Sequence, residues 1–315
     1  MKIRDAADSY IGYKQSLGMD FRTAAKNMRS FCKAAGDVEL EDLESEFVLR
    51  FLRGGSGKSQ RWFHNKLSVL RGFYRFCIAR GYVSTSPLPT ATPKALRNFT
   101  PYIYSENEIC NLMANAPLVC KHLQCVIQGE TLQTILYLVW GAGLRISEAL
   151  RLKLCEVDLA RDLFTVRDTK FFKDRLVPMD TRLTSKLATY LCFRKLHLPL
   201  LDGEDSPVFV DRRGKEISRT LVEKYFKQLR ELVGIKREDG FCQPRIHDLR
   251  HTAVVSRILV WYQQGANVQV LLPHVTTYLG HVKLTDTQHY LTVTAEILRE
   301  ACSKFEQYAL GENND

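Results

Sequence analysis

The chain has no acidic residue between Phe47 and Ser105, although it has 35 in all. The same stretch carries Arg50, Arg53, Lys58, Arg61, Lys66, Arg71, Arg75, Arg80, Lys94 and Arg97. So long a stretch of one sign fits contact with a polyanion, because each cation can displace condensed counterions. A solvated basic face is the plainer alternative. Long apolar runs are also missing. No segment of about 18 residues is apolar and uncharged, which argues against a membrane span. Met1-Lys2-Ile3-Arg4-Asp5 is not followed by the apolar stretch of a signal peptide. There is no Cys-x-x-Cys pair, and the nine cysteines are odd in number and scattered. A disulfide framework and a structural zinc site are therefore not expected, and reduced thiols in a cytoplasmic protein are.

What is present suits a folded protein with an anionic partner. The 315 residues suffice for two domains, 45% of them are hydrophobic, and the formal net charge is +10. Residues 1–85 read as a small basic helical domain. Helices are expected over Ala6–Leu17, Phe21–Lys33, Asp42–Leu52 and Gln60–Ile78. The last shows Trp62, Phe63, Leu67, Leu70, Tyr74 and Cys77 at helical spacing. Pro87, Pro89 and Pro93 in a polar run mark a linker over 86–100. Gly54-Gly55-Ser56-Gly57-Lys58-Ser59 superficially suggests a phosphate loop, but Leu52 stands where that motif needs its first glycine.

Residues 101–315 read as a second, mixed domain. Ser105 with Glu108 forms a capping-box pattern that announces a helix. Thr131–Trp140 is apolar enough for a buried helix. Leu163–Val166 and Leu176–Pro178 suit two short strands, and Val208–Val210 a third. Further helices are expected over Ser218–Val233, His247–Tyr262 and Ala295–Leu310. The fold class is thus mainly α with a small antiparallel sheet.

Four places in this domain could carry chemistry. In Gly141-Ala142-Gly143-Leu144-Arg145-Ile146-Ser147-Glu148, two glycines allow a sharp turn before Arg145 opens a helix. Glu148 lies one turn later, where it can orient the arginine fork. Lys170 stands at the tip of the expected hairpin. His247 and Arg250 share a helix face in His247-Asp248-Leu249-Arg250-His251-Thr252. The spacing of His247 and His251 invites a metal reading, but a zincin glutamate is missing, and no metal is expected. Finally, Leu279-Gly280-His281 precedes Tyr290 in a polar segment. Two arginines can clamp one phosphodiester in bidentate fashion and neutralise charge in its transition state.

With these residues in this order, the sequence resembles the tyrosine recombinase or phage integrase family over roughly residues 100–300. The resemblance implies a two-domain DNA clamp, with 1–85 as its core-binding domain and 101–315 as its catalytic domain. It implies that Tyr290 attacks the scissile phosphate and forms a 3′-phosphotyrosine. Arg145 and Arg250 would bind that phosphate, and His281 would hydrogen-bond it. Lys170 would protonate the leaving 5′ oxygen, His247 would assist, and Glu148 would support the arginines. Phe171-Phe172 follows Lys170 where the family often has glycine, so Lys173 stays an alternative. Arg50, Arg53, Lys58, Arg61, Lys66, Arg71 and Arg75 would contact DNA. The implied partners are double-stranded recombination sites, a tetramer formed on two of them, and accessory recombinases or DNA-bending proteins; no cofactor is implied. The alternatives are a type IB topoisomerase and a DNA-binding homologue without activity. The helical region begins at once, so no additional amino-terminal DNA-binding module is expected.

Overall fold

The computed structural model describes residues 1–54, 60–92, 100–121, 125–167, 174–199, 203, 205–238, 241–280, 283–292 and 299. The chain forms two compact units, Met1–Asn98 and Phe99–Asp315.

The first unit is helical, with α1 (Ile3–Ser16), α2 (Arg22–Ala35), α3 (Ser45–Arg53) and α4 (Gln60–Ala79). α4 packs against the other three. Its expected apolar stripe supplies Leu67, Leu70, Phe73, Tyr74 and Cys77 to a core shared with Ile3, Met28, Phe31 and Leu52. Tyr10 stacks edge-on against Phe21 and Phe73. Gly72 leaves the space that the Tyr10 hydroxyl occupies.

In the second unit Ser105 and Glu108 close the expected capping box at the start of α5 (Glu106–Val119). α6 (Gly129–Gly141) is surrounded by α5 and two later helices, which explains why apolar residues cover nearly its whole circumference. The chain then turns into α7 (Ile146–Arg151) and a three-stranded antiparallel sheet. Its strands are β1 (Val157–Asp158), β2 (Leu163–Val166) and β3 (Arg175–Pro178), in that order. β2 and β3 pair with Leu163 opposite Pro178 and Val166 opposite Arg175.

The third strand is therefore Val157–Asp158, and not Val208–Val210. The latter segment is fully buried, but only isolated bridges flank it, between Lys153 and Pro207 and between Val210 and Glu216. Its apolar character reflects burial in the core rather than a place in the sheet.

Four helices follow: α8 (Thr181–His197), α9 (Arg219–Leu232), α10 (Ile246–Gln263) and α11 (Val268–Leu279). The sequence reading had not assigned α8 or α11. Asp180 caps α8 through the Leu183 N–H at 2.7 Å. α11 contains Pro273, which locally reads as a helix breaker, yet Asn267 caps its first turn and Gly280 ends it in the left-handed region at φ +64°. One helical turn, Thr285–Gln288, and a 3-10 turn, His289–Thr292, complete the described part. The expected helix Ala295–Leu310 lies outside the described residues, apart from Arg299. Among the described residues, no helix is long and apolar enough to cross a membrane.

Candidate active site

Arg145 is the N-cap of α7, in extended backbone conformation. It follows Gly143, whose φ of +59° supplies the sharp turn out of α6. Glu148, one turn into α7, is 9% exposed. Its carboxylate accepts the Arg145 backbone N–H at 2.9 Å and the Arg145 guanidinium at 2.6 Å. The same carboxylate takes a bidentate pair from Arg175 at 2.8 and 3.2 Å. Arg250 is 1% exposed and lies 3.7 Å from it. Burial by itself would raise the Glu148 pKa. The hydrogen bonds and charge of Arg175, with those of Arg145, overcome that and hold it at about 2.

All three guanidinium groups meet the C-terminal end of α11. Arg175 donates Nε–H to the Tyr278 carbonyl at 2.9 Å. Arg250 donates to the carbonyls of Leu279 at 2.7 Å and Gly143 at 2.6 Å. Arg145 donates to Gly280 at 3.1 Å and to Leu279 at 3.4 Å. A helix C-terminus offers unsatisfied carbonyls and the negative end of its dipole, so cations suit it. Gly280 must be small here as well as left-handed, because a Cβ would lie 2.9 Å from an Arg175 nitrogen.

Three guanidiniums against one carboxylate leave a surplus of positive charge in a largely buried place. Burial and the charge of Arg145 lower the Arg250 pKa to about 10, which still leaves it charged at neutral pH. Arg145 keeps 32% of its side chain exposed and can face a ligand. An anion with several acceptor oxygens, such as a phosphodiester, matches these charges and donors.

α10 carries further polar groups beside this cluster. Its first turn is fixed by Asp248, 2% exposed, which accepts the Arg245 backbone N–H and its guanidinium, each at 2.9 Å. Thr252 donates to the Asp248 carbonyl and accepts the Tyr104 N–H. His247 and His251 follow each other by one turn, with ring centroids 4.8 Å apart and nearly perpendicular planes. Burial lowers the His247 pKa, the neighbouring His251 and Arg250 add to this, and the result is about 3. His247 is therefore a neutral ring at neutral pH.

Tyr290 sits in the 3-10 turn, 3% exposed, among Val254, Val255, Ile258, Val268, Leu272, Val275 and Leu279. Its hydroxyl lies 2.7 Å from His251 Nδ1. Tyr278, the nearest rival by sequence, lines an apolar cavity of about 490 Å³ with Val254, Trp261 and Val275. It contributes its backbone carbonyl to the arginine cluster.

Arg145, Glu148, His247, Arg250 and Tyr290 thus all belong to the second unit, around α7, α10 and the end of α11. Lys170, its alternative Lys173, and His281 lie outside the described residues. So does Lys58 in the expected DNA-binding set. Of that set, Arg50, Arg53, Arg61, Arg71 and Arg75 are exposed. Lys66 differs: it is 7% exposed, with Nζ 3.5 Å from the Phe51 ring centre and 3.7 Å from that of Trp62. It also donates to the Phe51 carbonyl at 3.1 Å. This lysine braces α3 against α4 and is not available to a phosphate in this arrangement.

Sequence reasoning missed Arg175 as a site residue, and gave His251 no role beyond its place in the His247-to-Thr252 motif and in a metal pair that it rejected. Arg175 could have been suspected as a lone cation at the start of a short strand. The carbonyls of Tyr278, Leu279 and Gly280 had no sequence signal at all.

The family model described as the phage integrase family matches residues 105–296. A putative integrase/recombinase, y4rE, of Sinorhizobium fredii is 33% identical, covering 95% of this chain and 94% of its own length. A tyrosine recombinase XerC of Thermodesulfovibrio yellowstonii is 30% identical over 85% of this chain and 83% of its own. The Tn1549 transposon integrase, solved with transposon right end DNA, superposes with a TM-score of 0.70. That likeness covers 98% of this chain and the whole of the other, at 16% identity, and speaks for the fold alone. With a family match over more than half of its length and a relative aligned nearly end to end, this chain belongs to the phage integrase family of tyrosine recombinases.

Proposed function

We propose that this protein cuts and rejoins DNA at specific sites through a covalent 3′-phosphotyrosine on Tyr290. The observation that carries the reading is the packing of Arg145, Arg175 and Arg250 around one carboxylate beside a buried tyrosine hydroxyl. An aqueous tyrosine hydroxyl, with a pKa of about 10, is a poor nucleophile when neutral. It gains from being held in line with a phosphate whose charge is already neutralised.

In this mechanism Arg145 and Arg250 bind the nonbridging oxygens of the scissile phosphate. The Tyr290 hydroxyl gives up its proton to solvent as its oxygen forms a bond to phosphorus, and the bond to the 5′ oxygen breaks. Lys170 supplies the proton to that leaving oxygen, with Lys173 as the alternative donor. His281 donates a hydrogen bond to the phosphate. His247, neutral before DNA arrives, offers a ring N–H without adding a further buried charge. Glu148 holds the arginine forks in register. The freed 5′ hydroxyl of a partner strand then attacks the phosphotyrosine and restores Tyr290.

Strand exchange between two duplexes calls for four protomers on two sites. The transposon integrase and other neighbours, among them a lambda integrase tetramer bound to a Holliday junction, support this reading by their folds. The biological role proposed is integration, excision or resolution of a mobile element, with accessory DNA-bending proteins or a second recombinase as further partners.

The test uses nicked duplexes built from inverted repeats in the DNA flanking the gene. The wild-type chain should form a denaturation-resistant adduct, with the nucleotide mapped by peptide sequencing to Tyr290. Tyr290→Phe should bind the same DNA and form none. An adduct on another residue, or one that persists in Tyr290→Phe, overturns the assignment. Relaxation of a supercoiled plasmid that lacks any such repeat would instead indicate topoisomerase-like action.

A further inference from the structure

We infer that His251 is the positioning residue for the nucleophile, fixing the Tyr290 hydroxyl relative to the arginine that binds the phosphate. This rests on the reading of Tyr290 as the nucleophile, and adds a residue to which that reading gives no role.

The His251 Nδ1 lies 2.7 Å from the Tyr290 hydroxyl, with ring centroids 5.4 Å apart. The tautomer that carries its proton on Nε2 lets Nδ1 accept the phenol O–H. The Tyr290 ring packs in an apolar cluster with Val254, Val255, Ile258, Val268, Leu272, Val275 and Leu279. Such contacts hold the ring in place but are not directional. A hydrogen bond is directional, and a buried phenol oxygen needs a partner. His251 therefore supplies an angular constraint that the aliphatic pocket does not.

The constraint matters because of where His251 stands. It is the residue next to Arg250, on the same rigid helix α10. Tyr290 is 39 residues further along and in a 3-10 turn, an element with little rigidity of its own. The hydrogen bond ties the reacting oxygen of that turn to the helix that carries the buried arginine. The hydroxyls of Thr276 and Thr287, 3.0 Å apart and both buried, tie the preceding turn to α11. Arg250 in turn donates to the carbonyl of Leu279, the last residue of α11. Nucleophile and phosphate clamp thus share one frame.

His247 is not an equivalent candidate. It lies one turn earlier on α10 and meets the His251 ring at its edge.

The test is single-turnover formation of the covalent adduct by the full-length chain on a nicked site, with DNA affinity measured alongside. His251→Ala should slow adduct formation by between about tenfold and a hundredfold, as expected for a misplaced nucleophile. Its DNA affinity should stay within about threefold of wild type, less than 1 kcal/mol. His251→Asn, whose side-chain amide can put an oxygen near the Nδ1 position, should recover most of the rate. His251→Gln, whose polar atoms fall nearer the Nε2 position, should not. This pattern is not expected if His251 only fills space. A wild-type rate for His251→Ala overturns the inference. So does an Asn variant as slow as the Ala variant, or a Gln variant that recovers where Asn does not. Tyr290→Phe, run in parallel, separates the two readings. If it still forms the adduct, the proposed nucleophile fails. If it forms none while His251→Ala is unimpaired, only the positioning role fails.

Discussion

Glu148 and Arg175 form a two-pronged ion pair at 2.8 and 3.2 Å, with side chains only 7% and 9% exposed. The pair joins α7 to β3, and Arg175 extends it to the Tyr278 carbonyl at the end of α11. Arg175 stands opposite Val166, the last residue of β2. One ion pair therefore links the arginine-bearing helix α7, the paired strands β2 and β3, and the end of α11.

Replacing Glu148 by glutamine should be strongly destabilising, because three guanidiniums would lose their counter-charge. Removing one partner of a buried pair costs about 3–5 kcal/mol. The wild-type carboxylate titrates well below its unfolded value of about 4.3. Its contribution is therefore present above that pH and lost as pH falls towards about 2. Urea unfolding at pH 7 and at pH 3 should show a smaller difference for Glu148→Gln than for wild type. Equal differences would detach Glu148 from the acid sensitivity.

Conservative replacement of Arg145 and Arg250, the two arginines proposed to bind the phosphate, should separate stability from catalysis. Arg145→Lys and Arg250→Lys both keep the charge and lose the fork. Adduct formation should fall by at least about a hundredfold in each, the scale of a lost charge-stabilising donor. Arg250 is almost wholly buried and donates to Gly143 and Leu279, whereas Arg145 is about one-third exposed. Thermal unfolding should therefore drop clearly for Arg250→Lys and less for Arg145→Lys. A reversed order would argue against this arrangement of the two.

His247 should make the fold acid-sensitive in a second window. Its folded pKa, about 3, lies below the unfolded value of about 6.5. Above the unfolded value both states are neutral at this ring. As pH falls from about 6.5 towards 3, the unfolded chain binds the proton and the folded one does not, so stability is lost. His247→Gln should flatten stability between pH 6.5 and 5, where the Glu148 contribution is still intact. An unchanged slope in that window would contradict a neutral, buried His247.

In the first unit, Lys66 and the arginines of α4 should behave oppositely. Reversing the charge of the exposed Arg71 and Arg75 together should weaken DNA binding and flatten its dependence on salt. Lys66→Met should leave the salt slope nearly unchanged and lower stability by about 1–2 kcal/mol, as expected for a desolvated cation between two rings. A reduced salt slope for Lys66→Met would mean that this lysine leaves the rings to meet a phosphate.

Much of this protein was legible from the order of its residues, because the relevant signals are local. The stripe from Trp62 to Cys77 follows the helical period, and Ser105 with Glu108 is a capping pattern within one turn. Arg145, Arg250 and Tyr290 stood out through short motifs whose order matches a known family. Other features depended on chain segments far apart in sequence. Val208–Val210 and Val157–Asp158 exchanged roles because an apolar triplet reports burial, not hydrogen-bonded pairing. α11 was hidden by Pro273, whose local cost is offset by a capped first turn and packing on α10. Lys66 looked like its exposed neighbours until the rings of Phe51 and Trp62 enclosed its charge. Arg175 and His251 gained their meaning only from the carbonyl of Tyr278 and the hydroxyl of Tyr290. The sequence by itself determined most of the helical elements, though not α8 or α11, together with the reactive residue types and the family. The tertiary structure decided which charges are buried together and which polar atom meets the tyrosine, because such pairings arise from long-range packing that local periodicity does not encode.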